Sequence, residues 1–166
     1  MALDSIYKNM NLFVDGRGHV GNVEEITPPK LTMVTEEFRG GGMDAPMDID
    51  LGMEKLEMDF TLTSFDAETL KSYGNNVIPL SIRGAVQDEL TGDVKPVVYT
   101  IQGRMREIDY GSWKSGEKAV TKFMVTLVFY KLEIDGQTIH EIDVRNGTRV
   151  IGGVDQTADI RAALGI

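Results

Sequence analysis

The stretch "KLEMDFTLTSF", residues 55–65, decides the fold class. Leu56, Met58, Phe60 and Leu62 fall on one side of an extended chain, and Lys55, Glu57, Asp59, Thr61 and Thr63 on the other. A period of two marks a strand with one dry face and one wet face. The same period recurs in both directions. Toward the N-terminus, "KLTMVTEEF" (30–38) is extended, and "NLFVDGRGHVGNVEEI" (11–26) reads as strand, Asp-Gly turn, strand, interrupted by Pro28 and Pro29. Toward the C-terminus, "DAETLKSYG" (66–74) predicts a short helix, capped by Ser64 or Asp66 and stopped by Gly74. Alternation returns in "VIPLSIRGAVQDE" (77–89) and in "VVYTIQGRMREIDYG" (97–111), where the phase slips near Arg106 and predicts a β-bulge. "VTKFMVTLVFYKLEI" (120–134) is apolar on both faces and predicts a central strand packed on two sides. "DGQTIHEIDV" (135–144) predicts a further hairpin, and the chain closes with a helix from about Asp155 to Leu164. About eight strands and two short helices make a mainly β chain, a β-sandwich or barrel-like domain with helical additions.

At 166 residues the chain suits one domain with a real core. Its 42% apolar and 26% charged residues are ordinary for a soluble globular protein. A net charge of −9 opposes nucleic-acid binding, which draws on phosphate neutralisation by Lys and Arg. With no cysteine, disulfides, thiolate metal sites and a Cys nucleophile are excluded. The first residues show no apolar signal-peptide core, and no stretch approaches the ~20 apolar residues of a membrane span.

Catalytic patterns do not emerge. His19 and His140 are the only histidines, and both read as polar surface or sheet residues rather than ligands. No serine stands in a Gly-x-Ser-x-Gly setting. The triple glycine Gly40–Gly42 lacks the Lys-Ser or Lys-Thr of a phosphate loop. "MDIDLGMEKLEMD" is acidic without the spacing of an EF-hand, and reads as a solvated strand face. Neither a catalytic residue, a metal nor a cofactor is expected.

The long non-periodic insertion at about 39–54 breaks what reads as the best strand pair. It opens with Arg39, Gly40, Gly41, Gly42, Met43 and Asp44, and then spaces Met47, Leu51 and Met53. Glycine is costly to order, methionine suits adaptable surfaces, and long structureless loops in compact domains are usually functional. The segment reads as an arm, loose in the monomer and ordered against a neighbour.

Six stretches together carry a family resemblance: "NMNLFVDG" (9–16), "EEITPPKLT" (24–32), "RGGGMDAPMDIDLGMEKLE" (39–57), "REIDYGSWKSGEKA" (106–119), "YKLEIDG" (130–136) and "HEIDVRNGTRVIGGVDQTADIRAALGI" (140–166). In this order and spacing the chain resembles the major tail tube proteins of contractile-tail phages and the tube proteins of R-type pyocins. The match spans essentially the whole chain, as a single tail tube domain over residues 1–166 with an extended assembly loop at about 39–54. One departure is Pro28-Pro29, where the family usually has one proline before the lysine.

The resemblance implies homo-hexameric rings whose subunits contribute strands to a continuous inner β-barrel, stacked into a tube. It implies a contractile sheath around the tube, a baseplate or tail initiator, a tail terminator, and DNA passing through the lumen without specific binding if the particle is a phage. It also implies that the loop matching residues 39–52 reaches a neighbouring subunit or ring. The location would be a virion tail or tailocin, assembled in the host cytoplasm. For the lumen wall, the wet face of residues 55–63, with Lys55, Glu57 and Asp59, fits best as a negative surface, followed by Gln102, Arg104 and Arg106 once those arginines are paired. In the last helix, Ile160, Ala163 and Leu164 share a face that packs on the subunit's own sheet or on the next ring or sheath. The competing reading is a monomeric β-sandwich module that binds a small ligand or carbohydrate; an enzyme is the weakest of the three.

Overall fold

The computed structural model describes residues 6–166. Twelve strands and two short helices are present among them. The strands are β1 (Ile6–Val14), β2 (Arg17–Gly18), β3 (Val23–Thr27), β4 (Met33–Phe38), β5 (Met47–Met53), β6 (Glu57–Leu62), β7 (Ile78–Gln87), β8 (Val94–Asp109), β9 (Thr121–Ile134), β10 (Gln137–Asp143), β11 (Thr148–Ile151) and β12 (Val154–Asp155). The helices are α1 (Ala67–Leu70), between β6 and β7, and α2 (Ala158–Leu164), after β12.

Ten of the strands form one sheet, with a path β12-β11-β10-β9-β8-β7-β1-β2. The sheet forks at β9. Its first half, Thr121–Thr126, pairs with β6, which carries β3 on its other edge. Its second half pairs with β10, from Phe129 to Ile134. The opposite edge of β9 follows β8 throughout. The two branches fold over one core. Leu12 and Val14 of β1, Leu80 and Ile82 of β7, and Ile101 and Met105 of β8 meet Met58, Phe60 and Leu62 of β6 and Phe123, Val125 and Leu127 of β9. Phe60 and Phe123, paired across the strands, stack with ring centroids 4.9 Å apart. The alternation in residues 56–62 is therefore the dry face of β6, as the sequence predicts.

Both Asp-Gly turns hold as predicted. Asp15 and Gly16, then Asp135 and Gly136, all take positive φ, the conformation that two-residue hairpin turns require. The phase slip near Arg106 is a register shift against β9 between Met105 and Glu107. Gly74 ends the turn after α1 at φ 70°, and its N–H bonds to the carbonyl of Met105.

Other expectations need correction. β9 is central, but only one of its faces is buried; Met124, Thr126 and Val128 on the other are half-exposed. His19 is 4% exposed rather than on the surface. Its Nε2 lies 3.4 Å from the Thr69 hydroxyl, which in turn donates to Asp66. Burial holds the His19 imidazole below its ordinary pKa, against the opposing pull of Asp66 and with a smaller push from Arg17. α2 begins at Ala158 rather than Asp155, because Asp155 lies in β12.

Candidate assembly surfaces

Residues 33–53 fold as a separate two-stranded hairpin of β4 and β5, with no pairing to the main sheet. The segment is thus not a loose loop interrupting a strand pair: β4 pairs with β5, while β6 pairs with β3 and β9. The three glycines form only the tip. There the Gly40 N–H meets the Met43 sulfur at 3.1 Å, and Arg39 Nε donates to the Met43 carbonyl at 3.2 Å. Asp44 is exposed at this tip.

The bend lies at the other end of the hairpin. Gly52 takes φ 110°, a conformation that L side chains rarely adopt. It lies where Leu51 and Gly52 together oppose Val34, between the Met33–Met53 and Thr35–Asp50 pairs. One oxygen of Asp50 accepts the Gly52 N–H at 2.8 Å, and the other accepts Arg149 Nη2 of β11 at 2.6 Å. The Arg149 hydrogen bond is the leading cause that holds the Asp50 carboxyl below its usual range.

Cross-strand register then sorts the hairpin into two faces. Thr35, Glu37, Asp48 and Asp50 share one, with Asp50 turned toward its own subunit through Arg149. Val34, Glu36, Phe38, Met47, Ile49 and Leu51 share the other. That second face is apolar except for Glu36. Its large side chains stay uncovered, with Phe38 at 50%, Met47 at 53% and Leu51 at 56% exposure. An isolated two-stranded hairpin is marginal in water, and apolar area is stabilising only when removed from solvent. Sequence reasoning found Met47 and Leu51. It missed Val34, Phe38 and Ile49, although the alternation of Met47, Ile49 and Leu51 within "MDIDL" carried the signal. Met53 is half-buried against the core and belongs to the base.

The second surface is the wet face of β6, β9 and β8. Register places Glu57, Thr126 and Arg104 in one row, Asp59, Met124 and Glu107 in the next, and Thr61, Lys122 and Asp109 in a third. The two strands singled out from sequence thus meet on one continuous face, joined by β9. Gln102 extends it beside Phe129, and its side-chain oxygen accepts from Arg145 at 3.1 Å. The face is not a negative wall. Lys55 lies 2.8 Å and Arg106 3.0 Å from the same Glu57 oxygen, and Lys122 lies 4.0 Å from Asp59. Hydrogen bonding from Lys55, ahead of Arg106, keeps the Glu57 carboxyl below its ordinary range. Arg106 is paired with Glu57 and lies 3.9 Å from Glu107; Arg104 has no ion-pair partner among the described residues.

The third surface is α2. None of its residues is buried, and Ile160 and Leu164 are 61% and 69% exposed. Packing of this face on the subunit's own sheet does not occur. The helix is tied down from its polar side instead. Arg161 donates to both carboxylate oxygens of Asp155, to the Thr157 hydroxyl at 2.8 Å and to the Gly147 carbonyl at 3.3 Å. The Arg161 hydrogen bond first, and then the Thr157 N–H and hydroxyl that also donate to Asp155, hold its carboxyl far below its usual range.

Comparison with known proteins places the chain in a family. The family model described as phage tail tube protein FII matches residues 4–165. The chain belongs to that family. It is 33% identical to the tail tube protein of Escherichia phage P2, over all of both chains. It is 29% identical to the major tail tube protein of Serratia phage KSP20, over 88% of this chain and 86% of that one. In fold it is similar to a chain of the sheath/tube terminator of an extracellular contractile injection system, PVC. The TM-score is 0.56 at 9% identity, covering 76% of this chain and 94% of the other. As a member of the tail tube family it is a structural protein of a phage tail.

Proposed function

We propose that this tail tube protein assembles into homo-hexameric rings that stack as the inner tube of a contractile tail, within a sheath and between an initiator at the baseplate and a terminator. The observation that carries this reading is the uncovered apolar face of β4–β5, turned outward while Asp50 on the opposite face is tied to Arg149. A self-sufficient ligand-binding module has no use for such an arm. The polar face of β6, β9 and β8 lines the lumen, through which DNA passes in a phage. Its paired charges offer phosphates little to hold, since phosphate grip needs unneutralised cations. Head-to-tail contacts close as rings or continue as filaments, and the open sheet edges at β12 and β2 also favour neighbours over solvent.

Negative-stain electron microscopy of the purified chain at rising concentration tests the reading. Rings or tubes with a central channel are expected. Persistent monomers, in the presence of a tail initiator as well, refute it. Changing Glu57 and Asp59 together to Lys tests the lumen assignment. Tubes that form normally while DNA ejection stalls support it, and normal ejection with lost sheath attachment places these residues outside.

A further inference from the structure

The far edge of the same sheet carries a cleft with no partner in the subunit. It occupies about 450 Å³ and is lined mainly by apolar groups, Met10, Ile26, Pro28, Ile82, Val97 and Tyr99 among them. It exists because β1, β7 and β8 run on past the part of the core that β6 covers. The row Met10–Gly84–Val97 continues the core face of the sheet beyond β6, under Tyr7, Ile26 and Pro28 at the cleft's rim. Gly84 keeps the floor low; the Tyr7 ring lies 3.2 Å from where its Cβ would stand. Lys8, the one charged residue lining the cleft, reaches Glu89 in the β7–β8 turn, and Lys95 lies on the next row beyond Val97.

We propose that this cleft receives the β4–β5 arm of a second copy of the chain, with Phe38 and Met47 as the inserted side chains. The inference rests on the arm being an assembly element and adds the surface that takes it. Three features support the match. First, the arm is fixed to β11 through Asp50–Arg149, whereas the cleft opens at β7 and β1. Four strand spacings, on the order of 19 Å at ~4.8 Å each, separate β11 from β7 along the sheet. The strand that ties the arm and the strands that floor the cleft are thus different parts of the sheet, and two unlike surfaces that meet between copies make the head-to-tail contact that closes as a ring. Second, the surfaces match in character: the arm's outer face is apolar except for Glu36, and the cleft lining is apolar except for Lys8, whose charge is met by Glu89. Third, Phe38 and Met47 are direct cross-strand partners on the uncovered face, so they enter a cleft as one knob.

The chain has no native cysteine, which makes the test clean. Met47→Cys and Lys8→Cys are both exposed positions, so each variant leaves the core intact. Assembled tubes of the double variant, mildly oxidised and run on denaturing gels without reductant, should give a ladder of covalent oligomers up to the ring size. Each single variant should give none beyond background. Tubes that assemble but yield no ladder overturn the cleft assignment. So does a ladder from Met47→Cys paired with Trp113→Cys, an exposed residue in the β8–β9 loop. Failure of the wild-type chain to form rings or tubes refutes the assembly reading instead, and is seen separately by microscopy.

Discussion

Of the glycines, Gly103 leaves the least room for a side chain, and replacing it with alanine tests how β8 and β9 are joined. A Cβ on Gly103 would stand 2.6 Å from the Thr126 carbonyl oxygen, 2.7 Å from Val125 Cγ1 and 3.0 Å from Leu127 Cδ2. The backbone there is not in a left-handed conformation, so the obstacle is space alone. It arises because β9 has an extra residue at this point: Gln102 pairs with Phe129 and Gly103 with Leu127, leaving Val128 between them. The nearest atom is backbone in a central strand and cannot swing away like a side-chain tip. Inserted methylenes in packed cores cost about 1–3 kcal/mol, and a backbone clash belongs at the upper end. For a chain of this size each kcal/mol moves Tm by about 2–4 °C, so Gly103→Ala should melt about 6–12 °C lower. Differential scanning calorimetry measures it. Gly41→Ala is the control, with nothing within 4 Å of its Cβ. It should stay within about 0.5 kcal/mol of the parent, like most surface changes. If Gly103→Ala melts within about 2 °C of the parent, the close approach of β8 to β9 is not real.

Two further outcomes follow from the site chemistry. His19 is buried with its pKa lowered below 6.5, so between that value and its folded pKa the unfolded chain binds more protons; stability should fall as pH drops through this window, and His19→Gln should flatten that slope in urea midpoints taken between about pH 7 and 5. Truncation after Gly153 should leave a soluble folded core, because no residue of α2 is buried, but tubes of the truncated chain should fail to acquire sheath or stack; insoluble protein on truncation would contradict the exposed helix.

Much of this fold was legible because its signals are local. Period-two alternation located β6, β7 and most of β8, a long apolar run located β9, and the two Asp-Gly pairs fixed their hairpins. The Arg106 slip was visible because a bulge shifts the phase of every later side chain. Partner choice was not legible. Nothing in "KLTMVTEEF" states that it pairs with "MDIDLGM" rather than with β6, since pairing depends on where other strands already lie. Composition singles out Gly40–Gly42, because three glycines outweigh one; nothing in it marks Gly52, where the structure brings together a bulge, a positive φ and the Asp50 carboxylate. Arg149 was invisible for a related reason: its partner is 99 residues away, and an isolated arginine in a short strand carries no signal of that distance. The His19 error has the same origin, because the helix that buries it lies 50 residues further along the chain.

The charge on the proposed channel wall changes what such a wall must do. A net charge of −9 suggested repulsion of DNA by carboxylates at Glu57 and Asp59. On the β6–β9–β8 face, however, Lys55, Arg104, Arg106 and Lys122 balance Glu57, Asp59, Glu107 and Asp109. The chain's acidity lies elsewhere, much of it on the arm. A repelling wall would act through a field that salt screens within about 8–10 Å, so its effect would vary with ionic conditions. A balanced wall avoids both capture and repulsion, because each cation that could hold a phosphate is already near a carboxylate. Arg104 is the exception, and it stands beside Thr126 in the same row as Glu57. Among the described residues no carboxylate meets Arg104; in the proposed ring, one from a neighbouring subunit would complete it and tie neutrality of the wall to closure of the ring.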